Sequence, residues 1–268
     1  MPSSNAPYRL ETHAGLPRIP AFASVREERL HRKQRLAAVF RIFAKFGFSD
    51  GVAGHVTVRD PEFPRTFWLN PFGVHFSHVK VSNLIRCDES GTVVEGHHPV
   101  NAAAFALHAN VHKHHPEIVA SAHTHAPMGR AWAALARQLD PINQDACAFY
   151  GSHALSDGYG GIPVEYRQGA VDTSNLGNHK ALIMKNHGLL TVGRTVDEAA
   201  WWYIAMERCC QVQLLVEASV GGNRERIPLI PHDEAQSAHD IIGTPYAGWF
   251  NFQPLYQQIV QEQPDCLQ

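Results

Sequence analysis

The sequence predicts a single α/β domain built around a mixed or antiparallel sheet. Segments with helical spacing of apolar residues alternate with short strand-like segments, which is the pattern of a layered α/β protein. No internal repeat, low-complexity tract or linker divides the 268 residues. A hydrophobic content of 44%, with 20 Gly and 17 Pro, is ordinary for a globular chain.

Four segments have the features of helices. In the first, apolar residues recur three and four positions apart, and Gly47 follows at the C-cap position. The longest begins at Thr195, because Thr195-Val196-Asp197-Glu198 is a capping box. The predicted helices are residues 25–46, 101–114, 127–135 and a helix that runs from 195 toward 218.

The remaining patterns predict strands and loops. Strands are predicted at 55–59, 66–69, 84–86, 92–94, 117–123, 181–184 and 189–192. A turn is expected at 70–73, and residues 88–91 have the composition of a hairpin turn. Residues 139–180 are predicted to be rich in loops, with short strands near 162–166. After Gly221 the chain is expected to be irregular up to a segment at 254–260.

Composition excludes several classes of partner. The net charge of -2 provides no basic surface for a phosphate backbone, so nucleic acid is not an expected partner. No segment approaches the ~18 apolar residues of a membrane span, and the N-terminus has no apolar core of a signal peptide. The five cysteines form no Cys-x-x-Cys pair and are expected to be reduced. We therefore expect a cytoplasmic protein that acts on a small molecule.

Two histidines at the end of a predicted strand form a candidate metal site. The side chains of His123 and His125 are two positions apart and point to the same face, so both imidazoles can reach one ion. His187, in a tight turn between two apolar strands, is the candidate third ligand, and Gly188 is expected to let the backbone turn sharply after it. Three histidines that leave coordination positions open are typical of a catalytic metal.

The chain has 18 histidines, and others favour structural interpretations. The pair at 97–98 lies in a polar loop, and His112, His114 and His115 end a predicted helix, where positive charge suits the helix dipole. These five are expected to be solvated. His108 shares the core side of the same helix with apolar residues, and it is expected to be a buried, hydrogen-bonded histidine rather than a ligand.

Several segments together resemble the class II aldolase/adducin family. They are HPEIVASAHTHAPMGRAWAAL (115–135), KALIMKNHGLLTVGRTVDEAAWWYIAMERCCQ (180–211), a glycine-led strand motif at 54–59 and the counterpart of a T-P-S-G loop at 70–73. The resemblance covers residues 27 to 218 in the family's order. It implies a three-layer α/β/α sandwich with a central, mostly antiparallel sheet, and a homotetramer with active sites at subunit interfaces.

The resemblance also implies one divalent metal ion per chain, bound by His123, His125 and His187. Because imidazole accepts Zn(II), Mn(II) and Fe(II), the sequence leaves the metal open. We divide the chain into an N-terminal arm at 1–23, an aldolase-like domain at 24–220 and a C-terminal tail at 221–268. The tail is expected to pack on the domain or on a neighbouring subunit.

One departure from the family pattern concerns acid/base chemistry. Sugar-phosphate aldolases of the family have a Glu four residues before a helical His, and here that position is Ala104. Proton transfer therefore needs another group. The candidates are His55, Asp145 and Tyr150, which lie in or next to segments that resemble active-site loops of the family.

Other departures concern the substrate. In the segment 99–104, Asn and Ala replace the serines that help to hold a phosphate in the family, and Phe72 stands in the T-P-S-G-like loop. A small non-phosphorylated oxo or hydroxy acid or an aromatic compound is therefore the expected substrate. By resemblance, Asn70, Phe72 and Gly73 are its predicted binding residues.

Three functions remain open from the sequence. The first is a metal-dependent carbon-carbon lyase of aldolase or decarboxylase type, in which the metal stabilises the charge left when the bond breaks. The second is a non-haem Fe(II) oxygenase that cleaves an aromatic side chain, since three neutral imidazoles also suit Fe(II). The third is a non-catalytic, adducin-like scaffold, which has no use for three convergent ligands.

Overall fold

The computed structural model describes residues 9–159, 161 and 173–268. The strands of this part are β1 (His55–Arg59), β2 (Thr66–Leu69), β3 (Ile85–Asp88), β4 (Val93–Glu95), β5 (Ala120–Thr124), β6 (His153–Leu155), β7 (Ala181–Met184) and β8 (Gly188–Gly193). The α-helices are α1 (Val25–Lys45), α2 (Ala102–His114), α3 (Pro127–Ala134), α4 (Gln144–Cys147), α5 (Val196–Ser219), α6 (His232–Ile242) and α7 (Pro245–Glu262). Short 3-10 helices are Leu10–Thr12, Phe76–His78, Val81–Asn83, Ser174–Leu176, Arg224–Arg226 and Pro264–Leu267.

The strands form one eight-stranded sheet in the order β4-β3-β2-β1-β5-β8-β7-β6. Every neighbouring pair is antiparallel except β6 and β7, which are parallel. This confirms the predicted mostly antiparallel sheet. All seven strands predicted within the described residues are present, three with the predicted bounds (55–59, 66–69 and 181–184) and four with shifted ends. The strands predicted near 162–166 lie outside the described residues.

Helices cover both faces of the sheet. On one face, Leu107 and Val111 of α2 pack against Leu182 and Leu190 of the sheet. On the other face, buried residues of α1, α3, α5 and α7 form the largest apolar core with Val56 and alternate residues of the strands. The arrangement is the predicted three-layer α/β/α sandwich. Among the described helices, none is both long and apolar enough to cross a membrane.

Local sequence explains where the two long packing helices begin. The Ser24 hydroxyl accepts a hydrogen bond from the backbone N–H of Glu27 at the start of α1. The Thr195 hydroxyl accepts one from Glu198 N–H at the start of α5, as the capping box predicts. The Glu198 carboxylate then accepts from Arg194 N–H, one residue before the position that the motif would favour.

The prediction of an irregular C-terminal tail is wrong. Helices α6 and α7 occupy most of it, because Thr244 caps α7 and Pro245 occupies its first turn, where no N–H is needed. Pro254 lies inside α7 rather than at the start of a segment. Helix α7 packs closely on α5, since a Cβ at Gly248 would lie 2.7 Å from the Trp202 ring.

The segment 139–180 also contains more structure than predicted, namely α4 and β6. Both are too short for a periodic pattern to show them. Lys180 connects them to the tail, because its ammonium donates to the carbonyls of Ala148 and Gly243, the C-cap residues of α4 and α6.

Candidate metal centre

Sheet topology brings several predicted site residues to one end of the sheet. Strands β1 and β5 are antiparallel with His55 opposite His123, so the start of β1 lies beside the end of β5. Strand β8 is antiparallel to β5, which places the residue before it, His187, at the same end. The segment 70–73 follows β2, whose end lies there too because β2 is antiparallel to β1.

The imidazoles of His123, His125 and His187 converge. Their nitrogen atoms that could bind a metal all lie within 4.8 Å of one another. Ring centroids are 5.2 Å apart for His123 and His125, 4.7 Å for His123 and His187, and 5.1 Å for His125 and His187. The triad predicted from the sequence is therefore one cluster.

The arrangement of nitrogen atoms fits a metal ion. The Nε2 atoms of His125 and His187 are 3.2 Å apart. Two Zn–N bonds of about 2.0–2.1 Å at a tetrahedral angle would separate them by about 3.4 Å. The Leu189 carbonyl, 2.8 Å from His123 Nδ1, can only accept, so Nδ1 carries the hydrogen and Nε2 is free to bind an ion.

Burial keeps the three imidazoles neutral. It lowers the pKa of His187 to about 4 and the pKa of His123 well below its ordinary value, with the neighbouring imidazoles adding to the effect. The pKa of His125 is lowered by burial and by the positive charge of Arg130. Neutral imidazole is the form that binds a metal, so the site is ready to bind at neutral pH.

The turn that carries His187 differs from the prediction. Asn186 makes the turn in the left-handed region, with φ of 55°. Gly188 is nearly extended, with φ of 159°, so the prediction that it provides the sharp turn is wrong. A Cβ at Gly188 would lie 3.6 Å from His123 Cε1, an ordinary van der Waals distance, so this residue borders the cluster.

Two polar residues of α5 hold the segment that carries the first two ligands. The Tyr203 hydroxyl lies 2.8 Å from the Thr124 hydroxyl and donates to the Thr124 carbonyl at 2.9 Å. The Glu207 carboxylate accepts from the N–H groups of Met128 and Gly129 at 2.8 and 2.6 Å, which satisfies the N-terminus of α3. Sequence reasoning missed both, although a Tyr and a Glu four residues apart in an apolar helix were a usable signal.

His55 is buried beside the triad, on the face of the sheet that α2 covers. Only 2% of it is exposed, and neither ring nitrogen has a hydrogen-bond partner among the described residues. Burial lowers its pKa to about 3. Its ring lies edge-on to that of His108, with centroids 6.2 Å apart. His55 is therefore a neutral base within the region of the triad.

Behind His55, two histidines of α2 form a buried polar cluster. His108 is buried with Nδ1 2.6 Å from the Ser121 hydroxyl, which confirms its prediction as a core histidine. His112 was predicted to be solvated, and this is wrong. It is 2% exposed, its Nε2 lies 2.9 Å from the Thr57 hydroxyl, and its ring stacks on Phe67.

The triad is buried on the side of His55, whereas polar residues on its other sides are exposed. Arg130, in the first turn of α3, pairs with Asp50 at 3.2 Å. Tyr159 lies on another side, with its ring edge-on to His187 at a centroid distance of 6.4 Å. None of these three residues belongs to a local sequence pattern that predicts a site, because each becomes part of it only through the folding of separate segments.

The predicted substrate-binding turn lies at the same end of the sheet. Asn70 is 5% exposed, and its buried Oδ1 has no partner among the described residues. The Phe72 N–H donates to the Pro99 carbonyl, and Gly73 has φ of 83°, which glycine adopts readily. Their role in binding substrate stays a prediction.

Within one chain, the structure does not bring Asp145 and Tyr150 to the triad. Both precede β6, which is parallel to β7 and therefore starts at the opposite end of the sheet. Asp145 is exposed on α4 and lines a separate cavity of about 380 Å³. The Tyr150 hydroxyl lies 2.8 Å from His232 Nδ1.

The fold is a three-layer sandwich with a histidine triad at one end of a mostly antiparallel sheet, as the resemblance to class II aldolases implies. Comparison with known proteins gives the same family. Residues 34–214 match the model of the Class II Aldolase and Adducin N-terminal domain family. The chain belongs to this family. The match covers the sheet and all three histidines of the triad.

Relatives of known name match nearly the whole chain. The chain is 41% identical over 248 residues to a 4-hydroxy-3-prenylphenylpyruvate oxygenase/4-hydroxy-3-prenylbenzoate synthase of Streptomyces roseochromogenus subsp. oscitans, covering 92% of this chain and 88% of the relative. It is 41% identical to the decarboxylase NovR of Streptomyces niveus, covering 92% and 90%. The solved L-fuculose 1-phosphate aldolase from Glaciozyma antarctica PI12 is 40% identical with a TM-score of 0.84, covering 94% and 97%.

Proposed function

We propose that this chain is a metal-dependent carbon-carbon lyase, of aldolase or decarboxylase type, that acts on a small non-phosphorylated oxo or hydroxy acid. One observation carries the proposal. Three neutral imidazoles converge at one end of the sheet, and among the described residues no carboxylate belongs to this cluster of candidate ligands. A bound divalent ion supplies Lewis acidity for the negative charge that develops on oxygen when the bond breaks. The name of the decarboxylase relative supports this class.

The chemistry limits which bond can break. The electron pair of the broken bond must remain on a carbon next to the oxo group, where it is delocalised onto oxygen. Aldol cleavage of a 4-hydroxy-2-oxo acid and decarboxylation of a 3-oxo acid satisfy this condition. In both reactions a proton must then reach that carbon, and in aldol cleavage a proton must also leave the hydroxyl group whose carbon becomes the aldehyde.

His55 is our candidate for the group that moves this proton. It follows Gly54 in the glycine-led strand motif, it is neutral, and its ring nitrogens have no partner among the described residues. Asn70 would orient the substrate through its buried side chain. Asp145 and Tyr150 could serve only at the site of a neighbouring subunit, since they lie at the other end of the sheet in their own chain.

The relative named as an oxygenase supports a second candidate function. Three imidazoles with open positions suit Fe(II), and dioxygen would be the co-substrate. A 3-aryl-2-oxo acid and one O₂ would then give one CO₂ and a 2-aryl-2-hydroxy acid that is one carbon shorter. The exposed ring of Tyr159 beside His187 would suit the aromatic part of such a substrate.

Gas and product analysis separates the candidates. Metal-loaded protein is incubated with 4-hydroxy-2-oxo acids, 3-oxo acids and 4-hydroxyphenylpyruvate, once under argon and once in air. We expect cleavage products or CO₂ under argon. Turnover that requires air and consumes one O₂ per CO₂ would replace the lyase with the oxygenase. No turnover by metal-loaded protein would favour the scaffold, and cleavage of L-fuculose 1-phosphate would contradict the non-phosphorylated substrate.

A further inference from the structure

Arg130 stands at the rim of the triad, and about half of its side chain is exposed. It lies in the first turn of α3, five residues after His125. A Cβ placed on Gly188 would lie 3.9 Å from Arg130 Cγ and 3.6 Å from His123 Cε1, so the side-chain stem runs alongside the metal ligands. Among the described residues, its guanidinium pairs with Asp50 alone, through one nitrogen at 3.2 Å.

This ion pair is open to solvent. The side chains of Arg130 and Asp50 are 47% and 49% exposed. A pair of this kind contributes little to stability, because water competes with it. A guanidinium has five N–H donors in a planar fork, and the contact with Asp50 engages one of its nitrogens. The remaining donors can bind another anion without loss of a structural contact.

The charge of the site favours an anionic ligand. Imidazole binds a metal in its neutral form, so a divalent ion bound by the triad would keep its full charge. Arg130 adds one positive charge, and Asp50 offsets one. The nearby Glu207 carboxylate is directed at the N–H groups of α3, which hold it away from a ligand at the triad. A substrate that brings its own carboxylate would compensate the excess positive charge.

We propose that Arg130 recognises the carboxylate of a 2-oxo acid whose oxo end lies at the triad. This assignment rests on the proposed function, since it requires a metal ion at the triad. A 2-oxo carboxylate matches the two features of the site, because its adjacent oxygens face a metal ion while the carboxylate also accepts paired hydrogen bonds from the planar guanidinium. Aldol cleavage of a 4-hydroxy-2-oxo acid and the oxygenase reaction both act on such a head group, so Arg130 determines the substrate class rather than the reaction.

The test compares two ligands that differ only in the carboxylate. Phenylpyruvate and 1-phenylpropan-2-one are titrated by calorimetry into Zn(II)-loaded protein. A charge-assisted hydrogen bond contributes about 1.5–3 kcal/mol, which is about 10- to 100-fold in Kd. We therefore expect Arg130→Gln to weaken phenylpyruvate binding by about 10- to 100-fold and to change the Kd of the ketone by less than about twofold.

Two controls accompany this comparison. Arg226→Gln removes an exposed arginine of the 224–226 turn and should leave both Kd values unchanged. The zinc content of Arg130→Gln should equal that of the wild type, because Arg130 is not a ligand. An equal loss of affinity for both compounds would assign Arg130 a packing role and overturn the proposal, as would an unchanged Kd for phenylpyruvate.

Failure of the underlying function gives a different result. Protein that binds no zinc contradicts the proposed function itself. Protein that binds zinc but does not bind phenylpyruvate contradicts only the 2-oxo acid assignment. If that zinc protein instead binds L-fuculose 1-phosphate and Arg130→Gln abolishes this binding, the anion that Arg130 recognises is a phosphate and not a carboxylate.

Discussion

At the scale of single residues, burial lowers the pKa of the histidines near the triad and keeps them neutral. His112 is the clearest example outside the metal ligands, because burial and the nearby charge of Arg59 lower its pKa to about 3. In the unfolded chain its pKa would be near the ordinary 6.5. Between pH 6.5 and about 3, the unfolded state therefore binds a proton at His112 and the native state does not.

This difference predicts an acid-dependent loss of stability. The contribution of His112 is fully present above pH 6.5 and is lost as the pH falls from 6.5 toward 3, because only the unfolded state takes up the proton in that window. The loss is about 1.4 kcal/mol of unfolding free energy per pH unit. Denaturant unfolding at several pH values should show this slope reduced in His112→Gln.

His114→Gln is the matched control, since His114 is exposed on the same helix. It should keep the pH slope of the wild type. Equal slopes for His112→Gln and the wild type would contradict a neutral, buried His112.

The metal ligands could be predicted residue by residue, whereas the surroundings could not. His123 lies in β5 and His125 directly follows this strand, so the strand period predicts that both side chains point to one face. Arg130 and Asp50 are 80 residues apart, and their pairing depends on the fold. His112 was misjudged because the end of a helix is exposed in most proteins, while here Phe67 and Thr57 of the sheet cover it.

At the scale of secondary structure, α5 supports the site from the opposite face of the sheet. Its Tyr203 is bonded to Thr124, the residue between the first two ligands, and its Glu207 binds the start of α3. Both side chains are buried, so these bonds are shielded from water. The helix thereby fixes the backbone on both sides of His125.

Tyr203→Phe should therefore affect both stability and metal binding. The change removes both contacts of the Tyr203 hydroxyl with Thr124 and leaves the Thr124 hydroxyl with the Ala126 N–H as its remaining contact, at a cost of about 1–3 kcal/mol in unfolding free energy. We also expect a raised Kd for the metal, measured by competition with a chelator, because the ligand segment becomes less rigid.

Tyr256→Phe serves as the comparison. Among the described residues, the Tyr256 hydroxyl makes no hydrogen bond, although Arg35 lies over its ring. This variant should keep the metal affinity of the wild type. If Tyr203→Phe lost stability but kept the wild-type Kd, α5 would support the fold alone and not the site.

The elements that could be predicted are those with a complete local signal. Helix α5 has a capping box and α1 a clear period, so both were found from the sequence. Helix α7 was missed because Pro254 lies inside it and because its aromatic residues are buried by tertiary packing on α1 and α5. The short α4 and β6 depend on Lys180 and neighbouring strands rather than on their own sequence.

At the scale of the whole molecule, the ends of the sheet have different roles. The triad, His55 and the 70–73 turn lie at one end, and Asp145 and Tyr150 lie at the other. An assembly in which the second end of one chain meets the first end of another would join these groups. This is the structural reason to expect that oligomerisation matters for the site.

A homotetramer is the assembly we predict. Light scattering coupled to gel filtration should give four times the chain mass of 29.7 kDa. Mutation of Tyr150 to Phe should leave that mass unchanged if Tyr150 serves the site rather than the assembly. A monomer at micromolar concentration would contradict the prediction and would exclude Asp145 and Tyr150 from the chemistry at the triad.

The central claim is that His123, His125 and His187 bind one divalent metal ion. The most direct test is elemental analysis of protein purified anaerobically without chelator, for the wild type, His123→Ala and His98→Ala, an exposed histidine in the loop at 97–98. We predict about one ion per chain in the wild type and His98→Ala, and less than about a tenth of an ion in His123→Ala with the circular dichroism of a folded protein. Full metal retention by His123→Ala, or no metal in the wild type even after soaking, would contradict the account.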